Sequence, residues 1–147
     1  ADAKIYIEKF YETYPKVKEF FDKVILDCQQ NWYVKTMFWR KRYIVWINDK
    51  NSMIQKAASR EAINMPIQWT SADIIKIAMI KIYDFLNKNN LKSKMIMQVH
   101  DELVFNVKKD EIDLLKIKIP DIMENIIQSS IPLTVWIWIW ANWKDAK

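Results

Sequence analysis

Apolar and polar positions recur along the chain with two different periods, and the changes of period divide it into elements. From 2 to 13, Ile5, Ile7, Phe10 and Tyr11 fall among charged residues in a way that suits an amphipathic helix. Pro15 stands where a second helix can start, because the first turn needs no proline N–H, and the pattern carries that helix to about residue 30. Residues 33–38 and 42–47 are rich in aromatic and β-branched types around a short basic connection, which predicts a β-hairpin with Trp39 at its tip. Apolar positions then recur at three and four over 52–65 and again over 70–87, with Pro66 interrupting. That predicts two consecutive helices, the second capped by Thr70 or Ser71 and carrying Asp73 in its first turn. Two short apolar runs, 95–99 and 103–107, enclose His100, Asp101 and Glu102 and predict a tight hairpin with the acidic pair at its tip. A helix over 109–128, perturbed near Pro120, and a last strand over 133–139 complete an α+β pattern of helices and short antiparallel hairpins.

At 147 residues this is one domain's worth of sequence. Lys, Asp and Glu break every apolar run well short of the ~20 residues of a membrane span, so a soluble globular protein without a membrane partner is expected. The first ten residues hold no continuous apolar core, and nothing marks the chain for secretion. Cys28, the single cysteine, has no partner for an internal disulfide and no paired zinc-site spacing, which fits a reducing compartment. A net charge of +5 permits a polyanionic partner without identifying one. The cation excess is nearly all lysine, and Lys, Ile and Asn are abundant together, as an AT-rich coding sequence produces. Glycine is absent, where ordinary usage of ~7% gives about ten. Eight tryptophans, a residue with one GC-rich codon, run against the same bias.

Three constellations carry candidate chemistry. Asp101 and Glu102 on a hairpin are either a solvated polar tip or part of a site that holds a divalent cation against phosphate oxygens, which would need a further carboxylate. His100 beside them is a candidate metal ligand, acid/base group or orienting group. Arg60, Asn64 and Gln68, spaced by four, form one polar stripe if the helix continues. That stripe is either a solvent face or a set of donors to minor-groove acceptors and backbone. Arg40, Lys41 and Arg42 cluster at the first hairpin tip with Lys35, Tyr33, Phe38 and Tyr43, as a phosphate-tracking surface or a solvated loop does.

The strings around these residues resemble family A DNA polymerases of the bacterial DNA polymerase I type, in order and over essentially the whole chain. Gln98-Val99-His100-Asp101-Glu102-Leu103-Val104-Phe105 is similar to the family's motif C. Arg60-Glu61-Ala62-Ile63-Asn64-Met65-Pro66-Ile67-Gln68, followed by Thr70-Ser71-Ala72-Asp73-Ile74-Ile75-Lys76, is similar to the family's segment on the primer-template minor groove. Tyr33-Val34 through Phe38, Arg40 and Arg42-Tyr43 resemble a hairpin near the fingers, and Asn142-Trp143 with Ala146-Lys147 resemble the family's C-terminal end.

The resemblance implies a palm-and-fingers segment, residues 1–147 being the C-terminal part of a DNA-directed DNA polymerase domain that adds deoxynucleotides to a primer 3′ end. It makes Asp101 a metal ligand and catalytic residue of a two-Mg²⁺ site, with Glu102 supporting and His100 near the primer terminus. Arg60, Asn64 and Gln68, with Arg40, Lys41 and Arg42, would bind DNA. Primer-template DNA, dNTP and the upstream remainder of the polymerase are the implied partners. The motif A aspartate and the nucleotide-binding fingers helix are expected upstream of residue 1, so this chain alone is expected not to polymerise DNA. Composition suits the cytoplasm of a low-GC bacterium or an apicomplexan plastid. At 32, 39, 69, 138 and 140 the family pattern has glycine where this chain has tryptophan, which predicts strained or crowded turns. Those departures support an alternative, a non-catalytic nucleic-acid-binding or structural fragment.

Overall fold

The computed structural model describes residues 2–145; Ala1, Ala146 and Lys147 and the side chains of Asp2 and Trp143 lie outside the described residues. In chain order the elements are α1 (Asp2–Thr13), α2 (Pro15–Asn31), β1 (Tyr33–Lys35), β2 (Lys41–Tyr43), α3 (Ser52–Lys88), β3 (Lys94–Val99), β4 (Glu102–Asn106) and α4 (Ile112–Glu124). The expected α+β class holds. Two compact units divide the chain, one to Thr70 and one from Ser71, with the boundary inside α3.

In the first unit α2 starts on Pro15, as its sequence requires, and ends when Trp32 turns left-handed (φ 65°, ψ 9°) and donates its N–H to the Cys28 carbonyl at 2.7 Å. Cys28, Val34, Ile44, Ile47, Ala58, Ala62 and Met65 form the core below. The first hairpin pairs Tyr33 with Tyr43, Val34 with Arg42 and Lys35 with Lys41, and both strands are shorter than their apolar runs predict. The cause is Thr36, whose hydroxyl accepts from the N–H groups of Phe38 and Arg40, both at 3.2 Å, and folds 36–40 into a compact loop. Beyond Tyr43 the chain leaves the ladder for successive turns, Ile47 N–H to Ile44 carbonyl and Asp49 N–H to Trp46 carbonyl, each 3.2 Å. Ile44 and Ile47 are buried through those turns rather than through a strand.

Pro66 does not break α3, which corrects the expected pair of helices, and Thr70, Ser71 and Asp73 lie inside the helix rather than at a cap. A proline inside a helix removes one hydrogen bond and costs about 3 kcal/mol. Here Ala58, Ala62 and Met65 are buried before it and Ile75, Ala78, Ile82 and Leu86 after it, so both halves are held by packing. The Thr70 hydroxyl donates to the Pro66 carbonyl and accepts from the Met37 N–H at 3.1 Å, tying helix to loop.

In the second unit Ile75, Ala78, Ile82 and Leu86 of α3 pack with Leu115, Ile119 and Met123 of α4. Asn90 (φ 51°) reverses the chain after α3, in a conformation asparagine tolerates. A single 3-10 turn, Lys109–Glu111, precedes α4. That helix contains Pro120 and stops at Glu124, four residues before the expected end. Residues 133–139 form no strand: an alternating pattern makes a strand only beside a partner, and neither described two-stranded sheet takes these residues on an outer edge.

Glu111 fastens the base of the second hairpin. Its buried carboxylate accepts the N–H groups of Lys92 and Ser93, both at 2.8 Å, and the Ser93 hydroxyl at 2.5 Å; that hydroxyl accepts from Lys108 N–H at 3.0 Å. The Lys92 N–H above all, then Ser93, holds the carboxyl below the usual carboxylate range against the opposing effect of burial. The folded form therefore binds a proton less readily than the unfolded chain. The resulting stability is complete above the ordinary carboxylate pKa and is lost as pH falls through the lower folded value. Glu111→Gln should lower Tm at pH 7 and flatten the acid limb of Tm against pH; equal Tm values at pH 7 would remove this role.

Candidate functional site

Val99 pairs with Glu102, so β3 and β4 are joined by only His100 and Asp101. A two-residue hairpin turn requires positive φ at its first central residue or at both. His100 supplies it at φ 53°, and the Gln98 side-chain amide braces the turn by donating to the His100 carbonyl at 2.9 Å. A left-handed conformation costs a residue with a Cβ roughly 1–2 kcal/mol. That strain sits beside the acid it projects. Glu102 is the first residue of β4 rather than part of the turn. His100, Asp101 and Glu102 are all exposed. Among the described residues no ion pair neutralises either acid, and no three His, Cys, Asp or Glu side chains gather as a metal site. Two adjacent hard-oxygen donors still suit Mg²⁺, which takes one or two carboxylates and fills its remaining positions with water and phosphate oxygens.

The first unit carries the other two constellations. Because α3 is continuous, Arg60, Asn64 and Gln68 do share one face, exposed beside the buried row of Ala58, Ala62 and Met65. Asn64 and Gln68 line a surface pocket with Arg42, Glu61, Met65 and Trp69. Arg40 closes the loop of the first hairpin, and Lys41 and Arg42 lie in β2 rather than at the tip. Lys41 stands directly opposite Lys35, a like-charge pairing that weakens a sheet. Both ammonium groups lie over the Tyr33 ring, at 4.3 Å for Lys41 and 5.4 Å for Lys35, which offsets part of that repulsion. Tyr33 is itself held edge-on to Tyr43 at 5.7 Å. Concentrating like charges on a braced aromatic base suits a polyanionic ligand.

Two contacts of this face have no signal in local sequence. Arg42 donates through Nε (2.8 Å) and Nη2 (2.5 Å) to Glu61 Oε1. Trp69 lies beneath the guanidinium groups of both Arg40 and Arg42. Only the departure from glycine at position 69 marked it. Trp69 is helical, not a turn residue, whereas Trp32 and Trp39 (φ 67°) do adopt left-handed backbone. Trp138 and Trp140 are exposed in an irregular segment.

Comparison with known proteins gives a consistent answer. The family model described as DNA polymerase family A matches residues 1–145. The chain is 44% identical over 146 residues to DNA polymerase I of Caldicellulosiruptor bescii and 39% identical over 146 residues to that of Lactococcus lactis, covering 99% of this chain each time. It spans 17% of the length of each of these relatives. Among solved structures it is similar to the POL domain of Pol1 from M. smegmatis in complex with DNA primer-template and dNTP, with a TM-score of 0.86 and 32% identity. That match covers 90% of this chain and 23% of the other. Among the described residues no helix is long and apolar enough to cross a membrane. An acidic two-residue turn, a basic hairpin and a polar helix face, in a chain matched over nearly its whole length, place it in one family: the chain belongs to DNA polymerase family A.

Proposed function

We propose that this chain takes part in DNA-directed DNA synthesis, the addition of deoxynucleotides to a primer 3′ end on a template strand. The observation that carries the reading is Asp101, exposed on a two-residue turn, in a segment that matches the family throughout. In this reading Asp101 holds Mg²⁺, with Glu102 supporting it from the first position of β4 and His100 facing the primer end. Mg²⁺ when bound supplies a lowered pKa for the attacking hydroxyl and compensation of charge on the transferring phosphoryl group. The protein's own contribution is position: the strained turn keeps the carboxylate at the end of a paired hairpin. Arg60, Asn64 and Gln68 meet the minor-groove side of the duplex, where amide donors reach acceptors common to every base pair, and Arg40, Lys41 and Arg42 track phosphates. Support for DNA and dNTP as partners comes from the M. smegmatis complex, whose description names both. Bacterial relatives support a bacterial setting.

A second reading, a DNA-binding segment without catalysis, draws on tryptophan at positions where the family pattern has glycine, two of them, Trp32 and Trp39, in left-handed backbone. The DNA-binding part is common to both and is tested by anisotropy of a labelled primer-template duplex. Asn64→Ala and Gln68→Ala should each weaken binding roughly 3- to 10-fold, the value of one hydrogen bond, and equally on duplexes of different sequence. Unchanged affinity in both would remove the helix face from the interface. Catalysis is tested at Asp101, as argued below.

A further inference from the structure

Directly opposed residues in a ladder share a face, so Tyr33, Lys35, Lys41 and Tyr43 stand on one side of the first hairpin. Val34 and Arg42 take the other side, where Val34 is buried and Arg42 is held by Glu61. Among the described residues no carboxylate pairs with Lys35 or Lys41. Their contacts are with rings: the Lys41 ammonium lies 4.3 Å from the Tyr33 centroid, and that of Lys35 lies 5.4 Å from Tyr33 and 5.0 Å from Trp39. A ring quadrupole attracts an ammonium but cancels none of its charge, so both cations keep their field toward solvent. Trp39 is 75% exposed. Lys35 covers one face of its indole, and the opposite face is open to a flat ligand. The loop that carries it is closed, with Trp39 N–H donating to the Thr36 carbonyl and Thr36 N–H to the Arg40 carbonyl, each at 3.0 Å, so little order has to be gained on binding. An open indole face beside two uncompensated ammonium groups matches one repeating chemistry, a flat base alternating with a phosphate. A duplex hides its base faces in its own stack, whereas a single strand offers them.

We propose that this face of the hairpin binds single-stranded DNA, a base stacking on Trp39 and the adjoining phosphates meeting Lys35 and Lys41. The inference rests on the reading of the basic hairpin as a DNA contact and names the form of DNA that this side of it takes. It asks nothing of Arg42, whose Nε and Nη2 are turned to Glu61. Trp39 is then a gained contact at a place where the family pattern has glycine.

The test is binding of the 147-residue chain, followed by anisotropy, to two fluorescein-labelled strands of roughly 12 nucleotides, oligo-dT and an abasic phosphodiester of the same length. Trp39→Gly should weaken oligo-dT binding roughly 5- to 100-fold, the range of one base–aromatic stack, and leave the abasic strand within about twofold of the parent. Glycine suits the left-handed backbone at this position, so unfolding does not account for such a loss. Trp39→Phe should keep most of the oligo-dT affinity. Between about 50 and 200 mM NaCl, Lys35→Ala and Lys41→Ala should each make the slope of log K against log salt shallower by about 0.7 on both strands, the value of one phosphate contact on a single strand. Equal effects of Trp39→Gly on the two strands, or no effect on either, overturn the inference. Parental slopes in both lysine variants on the single strands also overturn it. A primer-template duplex separates that failure from failure of the underlying reading. If Lys41→Ala makes the duplex slope shallower by about 0.9 while the single-strand slopes stay parental, Lys41 keeps its place on duplex phosphates and only the inference falls. A parental duplex slope as well removes Lys41 from the DNA contact together with the inference.

Discussion

Primer extension should fall by at least about 10³-fold when Asp101 is replaced by alanine, because a metal ligand supplies several kcal/mol to the transition state and each 1.36 kcal/mol is tenfold in rate. The measurement is made on a chimaera in which residues 1–145 replace the matching segment of the Lactococcus lactis relative, so that the rest of a family A polymerase surrounds the hairpin. Asp101 is exposed on its turn, and removing its carboxylate leaves no buried group unsatisfied. Duplex affinity and Tm of Asp101→Ala should therefore match the parent while kcat collapses, the pattern of an interaction made in the transition state. Glu102→Gln should cost less, in keeping with a supporting role. A chimaera that folds, binds the duplex and extends primers equally well with and without Asp101 would sink the catalytic reading. The binding reading would survive.

Returning glycine to the left-handed tryptophan position 39 should stabilise the chain, whereas at position 32 it should not. Trp32 and Trp39 have φ of 65° and 67°, a region that costs residues with a Cβ roughly 1–2 kcal/mol and glycine little. The opposing losses differ: Trp39 is 75% exposed and gives up little burial, whereas Trp32 is 47% exposed and buries about half of a large aromatic side chain, on the order of 2–3 kcal/mol. Lys35 over the Trp39 ring, at 5.0 Å, forfeits about 0.5 kcal/mol of exposed cation–π contact. Trp39→Gly should therefore gain roughly 0.5–1 kcal/mol, which for a chain of this size raises Tm by roughly 1–4 °C, while Trp32→Gly should leave Tm unchanged or lower it. Glycine at position 69 should lower Tm, since Trp69 is helical and glycine in a helix costs about 1 kcal/mol against alanine. A fall in Tm for Trp39→Gly would show that this indole gains more from contact than its backbone loses.

How much of this was legible beforehand depended on whether the deciding contact was local. The second hairpin was readable because two apolar runs, the turn between them and its acids lie within a dozen residues, and its observed strands match the runs to within one residue. Pro66 misled because the local rule against proline is outweighed by burial on both sides of it, which no window around residue 66 contains. Residues 133–139 misled in the opposite sense: the alternation is genuine, but a ladder needs a neighbour and periodicity says nothing of one. The first hairpin was shortened by one hydroxyl, Thr36, whose loop geometry a strand propensity cannot express. The site divides similarly. His100, Asp101 and Glu102 stand together in the chain, so their neighbourhood was legible, although Glu102 lies in β4 rather than in the turn; Arg60, Asn64 and Gln68 share a face only because α3 runs through Pro66, against the expected break. Glu61 lies 19 residues from its partner Arg42, and Arg40 donates to a carbonyl 29 residues away. Contacts at that separation have no pattern to read.

The Glu111 clamp also determines how the acidic turn can move. Lys94 pairs with Asn106 at the end of the hairpin beside the clamp, and Val99 with Glu102 at the end beside Asp101, with a register shift between Met95 and Met97. Mechanically this is a cantilever, built in at one end, carrying its load at the other, and notched near the support. A thermal displacement of the carboxylate is then a rotation about that notch rather than a free wander of a loop. Small changes in side-chain volume at Met95–Met97 therefore act on the acid through the length of the arm.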